Sequence, residues 1–200
     1  QETARSAEEA EPLYAQGVAA GERAIGPELF EEAVGQFWGV LETRPYMRAL
    51  EGLSQALWAL DRREEAIARA QEMLRLNPDD NQGMRYTLLG WLLPAGRDEE
   101  AGALLEAYAD DGAATWLYGQ ALHAFRREGD SRRSRRLLTE ALRANPYVAG
   151  YLLGAWELPD RPPAAFGPGD EGEAQVVLLE QGHAWIETDG ALEWLARRAR

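Results

Sequence analysis

Apolar residues recur through the middle of the chain with the spacing of amphipathic helices. In the stretch 47–60 the leucines stand at positions i, i+3, i+7 and i+10 of one helical face: Leu50, Leu53, Leu57 and Leu60. After a polar break, a second apolar face is formed by Ala66, Ala70, Met73 and Leu74. The pattern predicts two helices that face each other across a turn, and the small Ala66 and Ala70 allow the helices to approach closely.

Turn and stop signals divide the following stretch into two more hairpins. The first hairpin ends at Asn77, because a residue before proline disfavours the helical conformation. A second unit is predicted over 82–110 with Gly96 in its turn, and a third over 115–146 with Gly129 in its turn. The middle of the chain is therefore predicted to be three helical hairpins in a row.

Short motifs recur along these hairpins with a period near 34 residues. Leu-Arg-Leu-Asn-Pro at 74–78 returns as Leu-Arg-Ala-Asn-Pro at 142–146, which is 68 residues, or two periods, later. Arg-Arg-Glu-Glu-Ala at 62–66 returns as Arg-Asp-Glu-Glu-Ala at 97–101, and 129–134 occupies the equivalent place in the third unit. A period near 34 with two helices per unit is the signature of tetratricopeptide repeats.

The positions that punctuate the repeat resemble those of the tetratricopeptide-repeat family over residues 45–146. The matching features are a small residue in the second helix, a turn glycine and a closing proline: Ala66, Ala101, Gly96, Gly129, Pro78 and Pro146. The resemblance implies an all-α, right-handed solenoid of stacked helical hairpins. Three positions depart from the family pattern: Asp61 replaces the turn glycine, Ser134 replaces the alanine, and 110–112 replaces a closing proline.

Three further stretches resemble a family of bacterial tetratricopeptide-repeat proteins: 37–39 with 42–48, 77–83, and 116–130. This resemblance extends over nearly the whole chain. It implies a fold, without any biochemical activity or catalytic residues. No signal-peptide pattern is visible at the start of the chain, so we expect a cytoplasmic protein.

The residues before the repeats are predicted to form two helices. Ser6, followed by two glutamates, is typical of a helix start. We interpret 1–25 as the second helix of a repeat whose first helix is absent, which predicts an exposed apolar stripe at Leu13, Tyr14 and Val18. A further helix at 28–42 is inserted before the first hairpin, so that 1–44 forms an N-terminal region.

The C-terminal region, 147–200, is predicted to cap the repeats. Helices are expected at 148–156, at 170–182 and at 190–199, and the apolar residues of the last would cover the end of the stack: Leu192, Trp194 and Leu195. The intervening loop, 159–169, contains residues that interrupt regular helices: Pro159, Pro162, Pro163, Gly167, Pro168 and Gly169.

Composition narrows the functional classes. The net charge is -13, and all 21 basic residues are arginine, a balance that opposes binding to bulk nucleic acid and to anionic membranes. The absence of cysteine excludes disulfides and thiolate chemistry. His123 and His183 are the two histidines, and no phosphate-binding, zinc-protease or serine-hydrolase motif occurs. We therefore expect neither a metal, nor a cofactor, nor catalysis.

The resemblance also implies a binding surface. In tetratricopeptide stacks the first helix of each unit lines the concave face, and the corresponding positions form a candidate peptide-binding set: Arg48, Gln55, Trp58, Tyr86, Gln120, His123 and Arg127. Aromatic, amide and arginine side chains are typical of such surfaces. Family members that clamp a C-terminal carboxylate use lysine and asparagine here, whereas this chain has Glu51 and Gln55, so that ligand is not predicted. An alternative is that the chain's own C-terminal helices fill the groove.

A cluster of arginines around the turn at Gly129 is the sharpest local charge feature. Its members are Arg126, Arg127, Arg132, Arg133, Arg135 and Arg136. Guanidinium groups suit carboxylates and phosphates, so recognition of an acidic peptide, a phosphate group or RNA is one interpretation of this basic patch. The other is a solvated turn whose arginines pair with neighbouring acidic residues.

Three functional hypotheses follow from the sequence. The first is a scaffold that binds a peptide or partner protein on the concave face of the repeats. The second is a phosphate- or nucleic-acid-binding module that uses the basic patch. The third is the accessory domain of a larger enzyme. The sequence names neither the partner nor the oligomeric state.

Overall fold

The computed structural model describes residues 2–161 and 163–199, with side chains from residue 6 onward, and the described residues contain helices and no strand. The α-helices are α1 (Glu2–Glu32), α2 (Arg44–Ala59), α3 (Arg63–Leu76), α4 (Met84–Leu92), α5 (Asp98–Ala107), α6 (Ala114–Glu128), α7 (Arg132–Ala144), α8 (Tyr147–Leu152), α9 (Glu171–Glu187) and α10 (Ala191–Ala196). A short 3₁₀-helix, Leu41–Thr43, precedes α2. The predicted all-helical class is confirmed. Gln1, Pro162 and Arg200 lie outside the described residues.

The chain divides into two compact units, Gln1–Leu88 and Leu89–Arg200. In the first unit α1 packs antiparallel along α2. Gly21 of α1 lies against Tyr46 of α2, and a Cβ atom at Gly21 would be 2.9 Å from the Cβ of Tyr46. The glycine thus permits the two helices to approach more closely than any larger residue would allow.

The first predicted hairpin is present as α2 and α3. Its interface is formed by residues that are almost fully buried, as the apolar pattern predicted: Leu50, Leu57, Ala66, Ala70 and Met73. Asp61 in the connecting turn adopts a left-handed conformation, with φ of 59°. The family's glycine is favoured at this conformation, and aspartate is among the few other residues that tolerate it.

The predicted N-terminal helices differ from those observed. α1 begins at Glu2, so Ser6 lies inside the helix rather than at its start. The chain kinks at Gly26, where φ is 72°. The helical conformation then continues only to Glu32, whereas the predicted helix ended at residue 42. The prediction of a helix over 28–42 was therefore wrong in its second half.

The cause of the early stop is tertiary. Gly35 adopts a φ of 90°, and the turn that follows brings two backbone N–H groups to the end of α3. Gly35 and Phe37 both donate to the carbonyl of Leu76, at 2.9 and 3.2 Å. The Phe37 ring is fully buried against Phe30 and Tyr46, so the segment caps and plugs the first hairpin instead of continuing as a helix.

The apolar stripe predicted on α1 is partly exposed. Leu13 is 66% exposed and Tyr14 is 41% exposed, whereas Val18 is only 7% exposed. Tyr14 also lies directly over Gly52 of α2. The interpretation of 1–25 as part of an incomplete repeat remains a prediction.

In the second unit, α6 and α7 form the third predicted hairpin. Gly129 turns the chain with φ of 64°, and Ser131 caps α7 by accepting from the Ser134 backbone N–H at 3.1 Å. The Ser134 hydroxyl accepts in turn from the Ser131 N–H at 2.9 Å and donates to the Gly129 carbonyl at 2.7 Å. The two serines thus complete a capping box at the start of α7.

The C-terminal helices α9 and α10 fold back onto α6. The amide of Gln181 donates to the Thr115 carbonyl at 2.8 Å. The Trp194 ring stacks between two other rings. Its centroid is 4.5 Å from that of Phe125 and 6.2 Å from that of Trp185. In the second unit, therefore, the chain's own C-terminal segment covers one face of α6. Whether that face belongs to a repeat groove remains a prediction.

The bounds of these last helices differ from the predicted ones. α8 ends at Leu152 rather than at 156, and α9 continues to Glu187 rather than ending at 182. α10 is limited to 191–196, shorter than the predicted 190–199. The Trp185 ring, fully buried in this packing, lies in the part of α9 that the prediction left out.

Candidate functional site

A cleft of about 750 Å³ lies between α5, α6 and α7 of the second unit. Three helices line it, with α6 between the other two. From α5 and the turn after it come Asp98, Glu99, Gly102, Leu105, Glu106 and Ala109, from α6 come Gln120, His123 and Arg127, and from α7 come Arg133, Arg136, Leu137 and Glu140. The cleft is the candidate functional site because it joins residues of both sets predicted from the sequence.

The floor of the cleft is formed by His123 and Gly102. The imidazole ring of His123 packs against Gly102. Its Nε2 donates a hydrogen bond to the backbone carbonyl of Asp98 at 2.9 Å. Burial lowers the pKa of His123, and the charges of Arg127 and Arg133 act in the same direction, against an opposing effect of Asp98. The ring is therefore neutral at pH 7, and since Nε2 carries the proton, Nδ1 is a hydrogen-bond acceptor.

The helix directions give the cleft two different ends. Asp98 pairs with Arg126 at 2.9 Å, and Tyr108 contacts Trp116 with ring centroids 6.0 Å apart, so α5 runs antiparallel to α6. The tight turn at Gly129 makes α7 antiparallel to α6 as well. The C-terminal end of α6 thus meets the N-terminal ends of α5 and α7.

Charges of opposite sign lie at these two ends. Arg127, Arg133 and Arg136 stand at the end where α6 finishes, whereas Glu106 and Glu140 stand at the opposite end. All five side chains belong to residues at least partly open to solvent. The cleft is therefore basic at one end and acidic at the other.

Arg126 has a structural role. Its guanidinium donates to the carbonyl of Leu93 at 2.7 Å, to Oδ1 of Asp98 at 2.9 Å, to the carbonyl of Ala184 at 3.2 Å and to Oγ1 of Thr188 at 2.7 Å. The side chain is 14% exposed. Because these bonds use the whole guanidinium fork, Arg126 ties α5, α6 and α9 together and is not available to a ligand.

Two other arginines of the basic patch pair with acidic neighbours. Arg133 contacts Glu128 at 2.9 Å, and Arg135 contacts Asp130 at 2.8 Å. The hydrogen bond from Arg135, together with one from the indole of Trp194, lowers the pKa of Asp130 to about 2. For these residues the interpretation as a turn held by ion pairs describes the structure.

The remaining arginines of the patch are uncommitted. Arg127, Arg132 and Arg136 are exposed and form no ion pair with any side chain in the described part of the chain. Two of them, Arg127 and Arg136, line the cleft, whereas Arg132 lies outside it. The cleft therefore offers two free guanidinium groups at its basic end.

The predicted peptide-binding residues fall into two groups. Gln120, His123 and Arg127 stand at positions i, i+3 and i+7 of one face of α6, and all three line the cleft. The others belong to the first unit and are described there: Arg48, Gln55, Trp58 and Tyr86.

In the first unit three of these residues take part in cation–π contacts, among them Tyr86, whose ring centre lies 4.3 Å from the Arg85 guanidinium. The Arg48 guanidinium lies 5.6 Å from the centre of the Trp38 ring, and Arg63 lies 5.0 Å from that of Trp58. Gln55 is exposed. The Tyr86 hydroxyl accepts a hydrogen bond from Arg85 at 2.7 Å.

The sequence reasoning missed the cleft residues contributed by second helices. These are Asp98, Glu99, Gly102, Leu105, Glu106, Ala109, Leu137 and Glu140. One signal was available: Gly102 stands inside a helix, where glycine costs about 1 kcal/mol relative to alanine. A glycine kept at such a place indicates a close approach, and His123 makes that approach.

The described residues contain neither a cluster of potential metal ligands nor a helix that could span a membrane. Histidine, aspartate and glutamate side chains form no group of three or more that could hold a metal ion, within 2–161 and 163–199. No helix in the same ranges combines the length and apolar character required to cross a bilayer.

Comparisons of this chain with models of protein families, with curated proteins and with solved structures find no match.

Proposed function

We propose that this chain is a tetratricopeptide-type interaction protein that binds a segment of a partner protein in the cleft between α5, α6 and α7. The observation that carries the proposal is the pair of uncommitted arginines, Arg127 and Arg136, at one end of a cleft that two leucines also line. Arginines beside apolar surface are the residues that most often anchor a bound partner.

The local geometry of the hairpins supports the repeat-family part of the proposal. Gly96 and Gly129 both have a positive φ, of 68° and 64°. Asn77 and Asn145, each before a proline, end their helices with similar backbone angles, a φ of -142° and -148° and a ψ of 77° and 100°. Similar backbones at equivalent positions are expected if each hairpin is one copy of a repeat in an α-solenoid. On the family resemblance, the setting that we propose is the bacterial cytoplasm.

The state of His123 favours binding over catalysis. It is the cleft's histidine, and its Nε2 is used by the Asp98 carbonyl. No described carboxylate accepts from or orients its other nitrogen, as a catalytic base would require. The ring is therefore suited to shaping the floor and to accepting one hydrogen bond from a bound backbone.

Selection of peptides from a random display library against the purified protein, followed by affinity measurement, tests the proposal. Arg127→Glu should weaken a selected peptide by about tenfold or more, since it reverses a charge at the basic end. Arg132→Glu is the matched control, because Arg132 makes the same change of net charge outside the cleft. Its effect should stay within about twofold.

The outcomes separate the functional hypotheses. Equal losses from Arg127→Glu and Arg132→Glu, together with a steep dependence on salt for phosphorylated or RNA ligands, would instead indicate the phosphate- or nucleic-acid-binding alternative. Binding that neither substitution changes would exclude the cleft as the site.

A further inference from the structure

The charged ends of the cleft are separated by a fixed distance along the helices. Arg126 pairs with Asp98 at 2.9 Å, so the neighbouring Arg127 stands level with the start of α5. Glu106 follows Glu99 by seven residues on α5, which corresponds to about 10 Å along the helix axis. A ligand that spans the cleft therefore meets basic groups at one end and acidic groups about 10 Å further on.

The charges within the cleft do not cancel one another. Arg136 and Glu140 are one helical turn apart on α7, but they form no ion pair. Asp98 at the basic end is already paired with Arg126, which leaves Glu99 as the other carboxylate there. The two free arginines at this end outnumber it, so the basic end retains its sign.

The middle of the cleft is lined by two leucines and a glycine. Leu105 and Leu137 face it from the outer helices, and Gly102 adds no side chain between them. The floor is the neutral His123 ring. Small apolar groups fit this section better than charged ones, because a charge would be desolvated there without a partner.

We infer that the ligand is an extended segment that carries one acidic and one basic side chain three positions apart, with small apolar residues between them. The inference rests on the proposed function, and it names the chemistry of the partner. A segment in the polyproline II conformation advances about 3.1 Å per residue and returns to the same face every third residue. Side chains at i and i+3 then lie about 9 Å apart on one face, which matches the separation of the charged ends.

The acidic side chain pairs with Arg127 and Arg136, and the basic side chain pairs with Glu106 and Glu140. A segment with two acidic groups would place one of them beside the glutamates of the acidic end. A segment with two basic groups would place one of them beside the arginines of the basic end. Like charges opposed in this way cost affinity. The cleft thus selects a mixed charge pair rather than a charge of either sign.

Four fluorescent peptides test the inference directly. They share a proline-containing frame and carry Glu-Pro-Ala-Arg, Glu-Pro-Ala-Glu, Arg-Pro-Ala-Arg or Ala-Pro-Ala-Ala at the centre. We expect the mixed peptide to bind the wild-type chain with a dissociation constant on the order of 100 μM. We expect the like-charged and uncharged peptides to bind about tenfold more weakly.

Charge reversal in the protein should exchange these preferences. The double variant Glu106→Arg, Glu140→Arg should prefer the peptide with two glutamates, and the double variant Arg127→Glu, Arg136→Glu should prefer the one with two arginines. The controls are Arg132→Glu and Asp189→Arg, exposed charges outside the cleft, which should retain the preference for the mixed peptide. Unchanged helical circular dichroism verifies that each variant is folded.

The inference is overturned if the wild-type chain binds a like-charged peptide as tightly as the mixed one, if the reversals do not exchange the preference, or if the mixed peptide shows no binding up to about 1 mM. Each of these results leaves the proposed function intact when a display-selected peptide still depends on Arg127. Loss of that dependence would instead contradict the proposed function itself.

Discussion

The imidazole ring of His123 lies across Gly102 so closely that a Cβ atom at position 102 would stand 2.9 Å from its Cε1 and 3.0 Å from its Nε2. Through this contact the backbone of α5 packs directly against the His123 side chain of α6. The same ring holds the carbonyl of Asp98, one turn earlier on α5. The floor of the cleft therefore depends on residue 102 being glycine.

Replacement of this glycine tests that dependence. Gly102→Ala would gain about 1 kcal/mol from helix propensity, but the new methyl group must displace the His123 ring. We expect a net loss of about 1–2 kcal/mol in the free energy of unfolding, because overpacking exceeds the propensity gain. Urea unfolding measures it. Gly112→Ala, where a Cβ would contact nothing within 4 Å, should cost less than about 0.5 kcal/mol, and an equal loss at both sites would contradict the expectation.

The hairpins were predictable because their signals are local. Leucine spacing, the positive-φ turn at Gly129 and the proline after Asn145 each act within a few residues. The stop of α1 was not predictable in this way, since it depends on the Leu76 carbonyl that Gly35 reaches only in the folded unit. Sequence periodicity carries no information about such a distant partner.

The candidate site was predictable only in part for the same reason. Gln120 and Arg127 share a helical face that periodicity identifies. Arg126 lies next to Arg127 in sequence, yet its guanidinium donates hydrogen bonds to the carbonyls of Leu93 and Ala184, which are 33 and 58 residues away. Tertiary packing determines which arginine remains unpaired. Neither the composition nor the spacing of the sequence predicts this outcome.

The capping box of α7 gives a second prediction. Ser134→Ala restores the alanine of the family pattern, but it leaves the Ser131 N–H without the acceptor that it has at 2.9 Å. We expect a loss of about 1 kcal/mol in the free energy of unfolding. Thr139→Ala on the same helix removes an exposed hydroxyl bonded to the Arg135 carbonyl, and should change stability by less than about 0.5 kcal/mol. A Ser134→Ala variant as stable as the wild type would show that the box contributes nothing.

A third prediction concerns the carboxylate of Glu173, which joins α9 to the start of α6. Its oxygens accept from the N–H of Ala114 at 3.0 Å, from the amide of Asn145 at 3.0 Å and from the N–H of Gly169 at 2.7 Å. All three partners are donors, and the side chain is buried. A carboxylate at a helix N-terminus is also favoured by the helix dipole.

Glu173→Gln therefore places an amide N–H against donors. We expect a loss of about 2 kcal/mol in the free energy of unfolding, since a buried donor is left without a partner. Denaturant unfolding followed by Trp fluorescence measures it, because Trp185 and Trp194 are buried in the same unit. Glu193→Gln, an exposed position on α10, is the control and should be close to neutral. Equal stability of both variants would show that the three bonds to Glu173 are dispensable.

Glu180 lies on α9 against the backbone of Gly90, where a Cβ atom would stand 3.2 Å from the Glu180 carbonyl oxygen. The Oε2 atom of its side chain is buried and has no hydrogen-bond partner among the described residues. Burial raises the pKa of Glu180 to about 7, and a hydrogen bond from Thr115 acts in the opposite direction with a smaller effect. The folded chain thus favours the protonated acid.

The fourth prediction is a pH dependence that follows from this raised pKa. In the unfolded chain the carboxyl group has its ordinary pKa of about 4.5, whereas in the folded chain its pKa is about 7. Its contribution to stability is therefore complete below the first value and is lost as the pH rises to the second. Glu180→Gln removes the ionisation, and the variant should exceed the wild type by on the order of 2 kcal/mol at pH 8, with the difference shrinking towards pH 4. Chemical unfolding at several pH values measures it, with Glu193→Gln as the control for loss of an exposed carboxylate. A difference that stays constant with pH would mean that Glu180 titrates alike in both states.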